Sequence, residues 1–116
     1  MNRTELTAFL GPAADDLDQQ TLDALLKVAT RLEEKWPTAD EQDSRIHALN
    51  GAAMIAADDA TLNGLAVEWQ TLLGRAEEAR ETLIGAIRWA ADGVSQSEIS
   101  RQTGMTRVTV GKALKP

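Results

Sequence analysis

The chain has 116 residues, a formal net charge of −6 and no cysteine. That length makes one domain, or a small domain with an extension, and supports only a modest core. The missing thiols exclude disulfides and thiolate metal sites, no apolar run approaches the ~20 residues of a membrane span, and the opening MNRTELTAFLG lacks the apolar centre of a signal peptide, so a cytoplasmic location is expected.

Ala and Leu dominate, and the aromatics are only Phe9, Trp36, Trp69 and Trp89. Such a composition favours helix throughout. The first expected helix carries Leu22, Leu25, Ala29, Leu32 and Trp36 at steps of three and four, one apolar stripe of an amphipathic helix. Pro12 lies just upstream, Asp15, Asp16 and Asp18 suit the positive end of the helix dipole, and Pro37 stops the helix. A second helix starts near Asp40, with Ile46, Leu49, Ala53 and Ala56 on its stripe, and ends around Asp58 or Asp59.

The third helix is the longest. Leu62, Leu65, Trp69, Leu72, Ala76, Ala79, Leu83, Ala86 and Ala90 alternate steps of three and four without a break. A stripe held at a mean of 3.5 residues over four heptads predicts a coiled-coil-like seam. Thr61 or Asp59 can cap this helix and Asp92-Gly93 can end it. Gly64, Gly74 and Gly85 lower helix stability and are expected to mark tight contacts. No Gly/Ser/Pro linker interrupts Leu62 to Asp92, so this helix is expected to join the N-terminal bundle directly to the C-terminal segment.

That last segment, Gly93 to Leu114, reads GVSQSEISRQTGMTRVTVGKAL. Ser95 can cap a short helix over Gln96 to Thr103, with Glu98 three residues on to complete a capping box. Gly104 suits the left-handed turn that a second helix then requires. Met105 plugs the turn, and Thr106 caps a second helix from Arg107 to Leu114. Ser100 is small where the two helices cross. Ile84, Ile87 and Ala91, beside the seam on the long helix, are the expected partners of Ile99, Val110 and Leu114 in a three-helix core.

This pattern resembles the helix-turn-helix of the lac-repressor, resolvase and related tri-helical families. Ser100, Gly104, Met105, Thr106, Thr109, Val110 and Lys112 match their small–Gly–apolar–Ser/Thr–Thr-Val–basic order. The resemblance covers about the last third of the chain. It implies that the second helix reads double-stranded DNA in the major groove. Thr106, Arg107, Val108 and Thr109 would then meet base edges, while Arg101, Lys112 and Lys115, with Ser97 as a neutral contact, would meet phosphates.

Charge agrees. From Thr82 onward five basic residues (Arg88, Arg101, Arg107, Lys112, Lys115) face two acidic ones (Asp92, Glu98), a net +3; residues 1–81 carry seven basic against sixteen acidic, a net −9. DNA binding needs cations that displace counterions from phosphates. The isoelectric point near 4.7 therefore belongs to the N-terminal part.

Other constellations are weak. His47, the only histidine, reads as a half-exposed helix residue rather than a base or ligand. Asp15-Asp16-Asp18 and Asp58-Asp59 lack EF-hand spacing, and the pairs Glu33-Glu34 and Glu77-Glu78 read as solvated faces. Trp36 and Trp69 are expected in the core, Trp89 at an interface or over the domain junction. There is no Gly-rich phosphate loop and no nucleophile beside a base, so neither an enzyme nor a cofactor is expected.

The expected fold is therefore all-α. An acidic helical dimerisation or interaction region over 1–81, bundle- or coiled-coil-like, continues through the long helix into a helix-turn-helix over 82–116. The expected function is a sequence-specific transcriptional regulator, a small bacterial, plasmid or phage repressor, nucleoid-associated in the cytoplasm and binding an inverted repeat as a homodimer. Only Lys115 and Pro116 lie beyond Leu114, too little for a β-hairpin wing, so two copies are expected for tight binding. The alternatives are a protein-interaction module whose acidic region docks a partner, and a DNA-targeting subunit of a recombination or partition complex.

Overall fold

A computed structural model describes residues Met1–Pro116. The protein is all-α, with six helices, two short 3-10 turns and no strand, and no helix is long and apolar enough to cross a membrane. The chain divides into two compact units, Met1–Ala66 and Val67–Pro116.

The first unit begins with a helix that the apolar stripes did not announce, α1 (Arg3–Leu10). Asn2 caps it: its Oδ1 accepts the Glu5 N–H at 2.8 Å, and the Glu5 carboxylate accepts the Asn2 N–H at 3.2 Å. Gly11, at φ 61°, ends it and opens a 3-10 turn over Gly11–Asp16. Helix α2 (Gln19–Lys35) comes next, with the Asp18 carboxylate accepting the Thr21 N–H at 2.7 Å. Its expected stripe buries Leu22, Leu25 and Ala29. Trp36 is a correction: it stands at the C-cap, half-buried, and takes no part in the core.

Helix α3 (Gln42–Ala56) starts after a 3-10 turn over Ala39–Glu41, and its chain exits through Asp58 at φ 59°. Only Leu49 is buried on it, and Ala52 and Ala56 pack beside Leu49. Ile46, expected on the buried stripe, is instead 39% exposed. Apolar residues are spread around this helix, so the face that packs is fixed by α1 and α2 rather than by α3's own pattern. Leu6, Leu22, Leu25, Ala29 and Leu49 make the core of this unit, with Phe9, Leu10, Leu17, Leu26 and Leu32 around it.

Helix α4 (Leu62–Ala90) is continuous. The Thr61 hydroxyl caps it, accepting the Gly64 N–H at 3.0 Å. A Cβ on Gly64 would stand 3.0 Å from that oxygen, whereas nothing lies within 4 Å of one on Gly74 or Gly85. Of the three expected tight contacts, only the first exists. From Ala66 to Leu83 every residue is exposed. Trp69, expected in the core, is 63% exposed, like its neighbours along that stretch of the helix.

The second unit ends in α5 (Gln96–Thr103) and α6 (Arg107–Leu114). They close on the last turns of α4 around Ile87, Ile99, Val110 and Ala113, with Ile84, Ala91, Val94, Met105 and Leu114 half-buried beside them. This is the expected three-helix core, to which Ala113 and Ala90 also contribute.

Candidate nucleic-acid interface

Local chemistry fixes the turn between α5 and α6. The Ser95 hydroxyl accepts the Glu98 N–H at 3.2 Å and starts α5. Gly104, at φ 72° and ψ 4°, ends it in the left-handed conformation, its N–H reaching the Ser100 carbonyl at 3.0 Å. Two side chains then stitch the turn: Ser100 donates to the Met105 carbonyl, and the Thr103 hydroxyl donates to Ile99 O at 2.8 Å while accepting the Met105 N–H at 3.2 Å. The Thr106 hydroxyl caps α6 through the Thr109 N–H at 3.2 Å, and the Thr106 and Thr109 hydroxyls are 2.9 Å apart.

One face of α6 is buried and the other is free. Val110 is wholly buried and Ala113 nearly so, while Arg107, Thr109 and Lys112 are exposed and Val108 is 69% exposed. Thr106 is exposed at the start of the same helix, Ser97 on the first turn of α5, and Lys115 just past the end of α6. The anchoring of α6 therefore leaves its outer residues uncommitted. Arg107, Lys112 and Lys115 form no ion pair within the chain.

Two features were not legible from the motif. The Glu98 carboxylate does not reach back to the Ser95 N–H, so the expected capping box is only half made. It turns instead to Arg101, whose Nε lies 2.9 Å from Oε2 and whose Nη2 pairs with Oε1, and to Gln102 Nε2 at 3.0 Å. A charge-assisted, two-pronged bond outcompetes a single backbone N–H. The Arg101 and Gln102 bonds hold the Glu98 carboxyl well below the usual range, at about 2. Arg101, expected on a phosphate, is thus matched by its own carboxylate.

Arg88 is the second. From the last turn of α4, its Nε donates to the Ala113 carbonyl at 3.1 Å, and Nη2 donates to the Lys115 carbonyl. A guanidinium is well suited to the unpaired carbonyls at a helix C-terminus. Arg88 thus fixes the far end of α6 while Thr106 fixes the near one. The bond spans 25 residues, so no local spacing announces it.

Comparison of the chain with protein-family models, with curated proteins and with solved structures found no match in any of the three.

Proposed function

We propose that the protein is a sequence-specific transcriptional regulator that binds double-stranded DNA as a dimer, on an inverted repeat. The observation that carries this reading is α6, a helix capped at both ends and buried along one side, which offers Thr106, Arg107, Val108 and Thr109 outward near its start. Residues at the start of such a helix are the ones that enter a major groove. Arg107 is the base reader, since a guanidinium bonds guanine O6 and N7 together, worth ~1–3 kcal/mol of discrimination. Val108 offers an apolar contact to a thymine methyl. Lys112, Lys115 and Ser97 are phosphate contacts, with Arg101 a weaker one because Glu98 already holds it.

The test starts with selection of bound sequences from random oligonucleotides. Arg107→Ala is expected to lose the sequence preference, costing about tenfold or more on the selected site, and Lys112→Ala to weaken all DNA about equally. An Arg107→Ala protein with unchanged preference at moderate salt refutes α6 as the reader. A second reading, a protein-docking module, is favoured by the net charge of −9 over residues 1–81. It predicts no retention on random DNA at low salt.

A further inference from the structure

We infer that α4 pairs with α4 of a second copy in antiparallel orientation, centred between Gln70 and Thr71, with Glu68 facing the partner's Arg75. The inference deepens the dimer named above and rests on that part of the reading.

The surface is a helix stripe that the chain leaves bare except at Leu65, which is half-buried. Leu62, Trp69 and Leu72 are exposed by half or more, Leu73 beside the stripe almost as much, and Ala76 and Ala79 continue the stripe in the open. Helices pair along a stripe of 3.5-residue period by setting its side chains between those of the partner. Large residues occupy it from Leu62 to Leu72 and alanines follow at Ala76 and Ala79, with Leu83 beyond the paired span. In antiparallel order the two halves fit: Leu62 lies against the partner's Ala79, Leu65 against the partner's Ala76, and Trp69 against the partner's Leu72, each twice by symmetry. Parallel order would stack Trp69 on its own copy and leave thin layers of alanine on alanine.

The charges that flank the stripe select the register. Glu68 and Arg75 hold equivalent flanking positions one heptad apart. In the centred antiparallel pair, each Glu68 meets the partner's Arg75, so two opposite-charge pairs form. Sliding one heptad either way sets Glu68 against the partner's Glu68 or Arg75 against the partner's Arg75. A parallel pair sets Arg75 against the partner's Arg80. Exposed pairs contribute little energy, but like charges at flanking positions decide between otherwise similar arrangements.

The orientation bears on the DNA site. With this centre, Ala90 falls 39 residues of helical rise from the partner's Ala90, about 58 Å at 1.5 Å each. Half-sites one DNA turn apart, ~34–36 Å, are too close for that, and two turns fit better.

The chain has no cysteine, so introduced thiols report on orientation. Leu65→Cys and Ala76→Cys proteins, mixed and oxidised without DNA, are expected to form a disulfide-linked heterodimer. Ala76→Cys alone is expected not to cross-link, since its two copies would be about 16 Å apart along the axis. Independently, Glu68→Arg and Arg75→Glu should each weaken self-association about tenfold, and the two together should restore it. Cross-linking of Ala76→Cys with itself, a monomer by sedimentation at tens of micromolar, or unchanged association in both single charge variants overturns the inference. DNA binding is read separately: a cross-linked dimer that binds no DNA overturns the regulator reading and leaves the pairing intact.

Discussion

Replacing Glu98 by Gln should make DNA binding tighter and more sensitive to salt. Glu98 holds Arg101 through two hydrogen bonds, so that guanidinium enters a DNA complex already neutralised. Arg88 is committed to the Ala113 and Lys115 carbonyls, so the exposed cations left uncommitted at this end of the chain are Arg107, Lys112 and Lys115. If each meets one phosphate, log affinity falls with log salt at a slope of about −2.7, and a fourth cation makes it about −3.6. Between 50 and 200 mM salt, the original protein then loses about 40-fold in affinity per DNA-binding unit and Glu98→Gln about 150-fold. The fold should survive, because Ser95 caps α5 through the backbone N–H of residue 98, which the substitution keeps. Fluorescence anisotropy on a single half-site, titrated at several salt concentrations, measures both slopes. Equal slopes would show that Arg101 already contacts DNA in spite of Glu98, or lies off the interface, and would refute the reasoning.

Three further outcomes are expected. Ile87→Ala should cost about 2–5 kcal/mol, comparable with the whole stability of a unit of this size; an unchanged urea midpoint by circular dichroism would show that α5 and α6 do not depend on this core. Gly104→Ala should cost about 1–2 kcal/mol, all of it backbone strain, because no atom lies within 4 Å of the added Cβ; Gly104→Asn should cost less, and equal melting of all three proteins would contradict the left-handed turn. The Glu98 carboxyl is lowered from 4.5 to about 2 by its bonds to Arg101 and Gln102, so its stabilisation is complete above pH 4.5 and lost as pH falls through about 2; melting curves of the original protein and Glu98→Gln should keep a constant separation above pH 4.5 and converge below it.

What could be read from the sequence was what local chemistry decides. Ser95, Gly104 and Thr106 act within three or four residues of their own positions, so the turn between α5 and α6 appeared where they placed it. The partners Ile84, Ile87 and Ala91 were legible too, because a two-helix turn has an apolar side that only the preceding helix can cover. The end of α2 was legible in Pro37 and the start of α4 in Asp59 or Thr61, of which Thr61 makes the cap. Helix α1 was missed although its cap pair, Asn2 and Glu5, and its apolar residues Leu6, Phe9 and Leu10 were present; eight residues are too few for a periodic stripe to stand out. The burial of Ile46, Trp36 and Trp69 was misjudged for a different reason. Periodicity marks an apolar face, but whether anything covers that face depends on elements distant in sequence. The Arg88 bond to α6 and the choice of Arg101 over the Ser95 N–H by Glu98 were decided by the same three-dimensional competition.

The eighteen bare residues from Ala66 to Leu83 have a consequence for how α4 behaves in time. Over five turns every residue of the helix is exposed, and its side-chain pairs are surface ones such as Arg80 with Glu77. Isolated helices of that length are marginal in water, and Gly74 sits in the middle of the span. Its amides should open locally at a small fraction of the free energy needed to expose Leu25 or Val110. Covering the stripe would raise that local free energy, so the midsection of α4 acts as a reporter of occupancy: fast hydrogen exchange when bare, slow exchange when a partner lies along it.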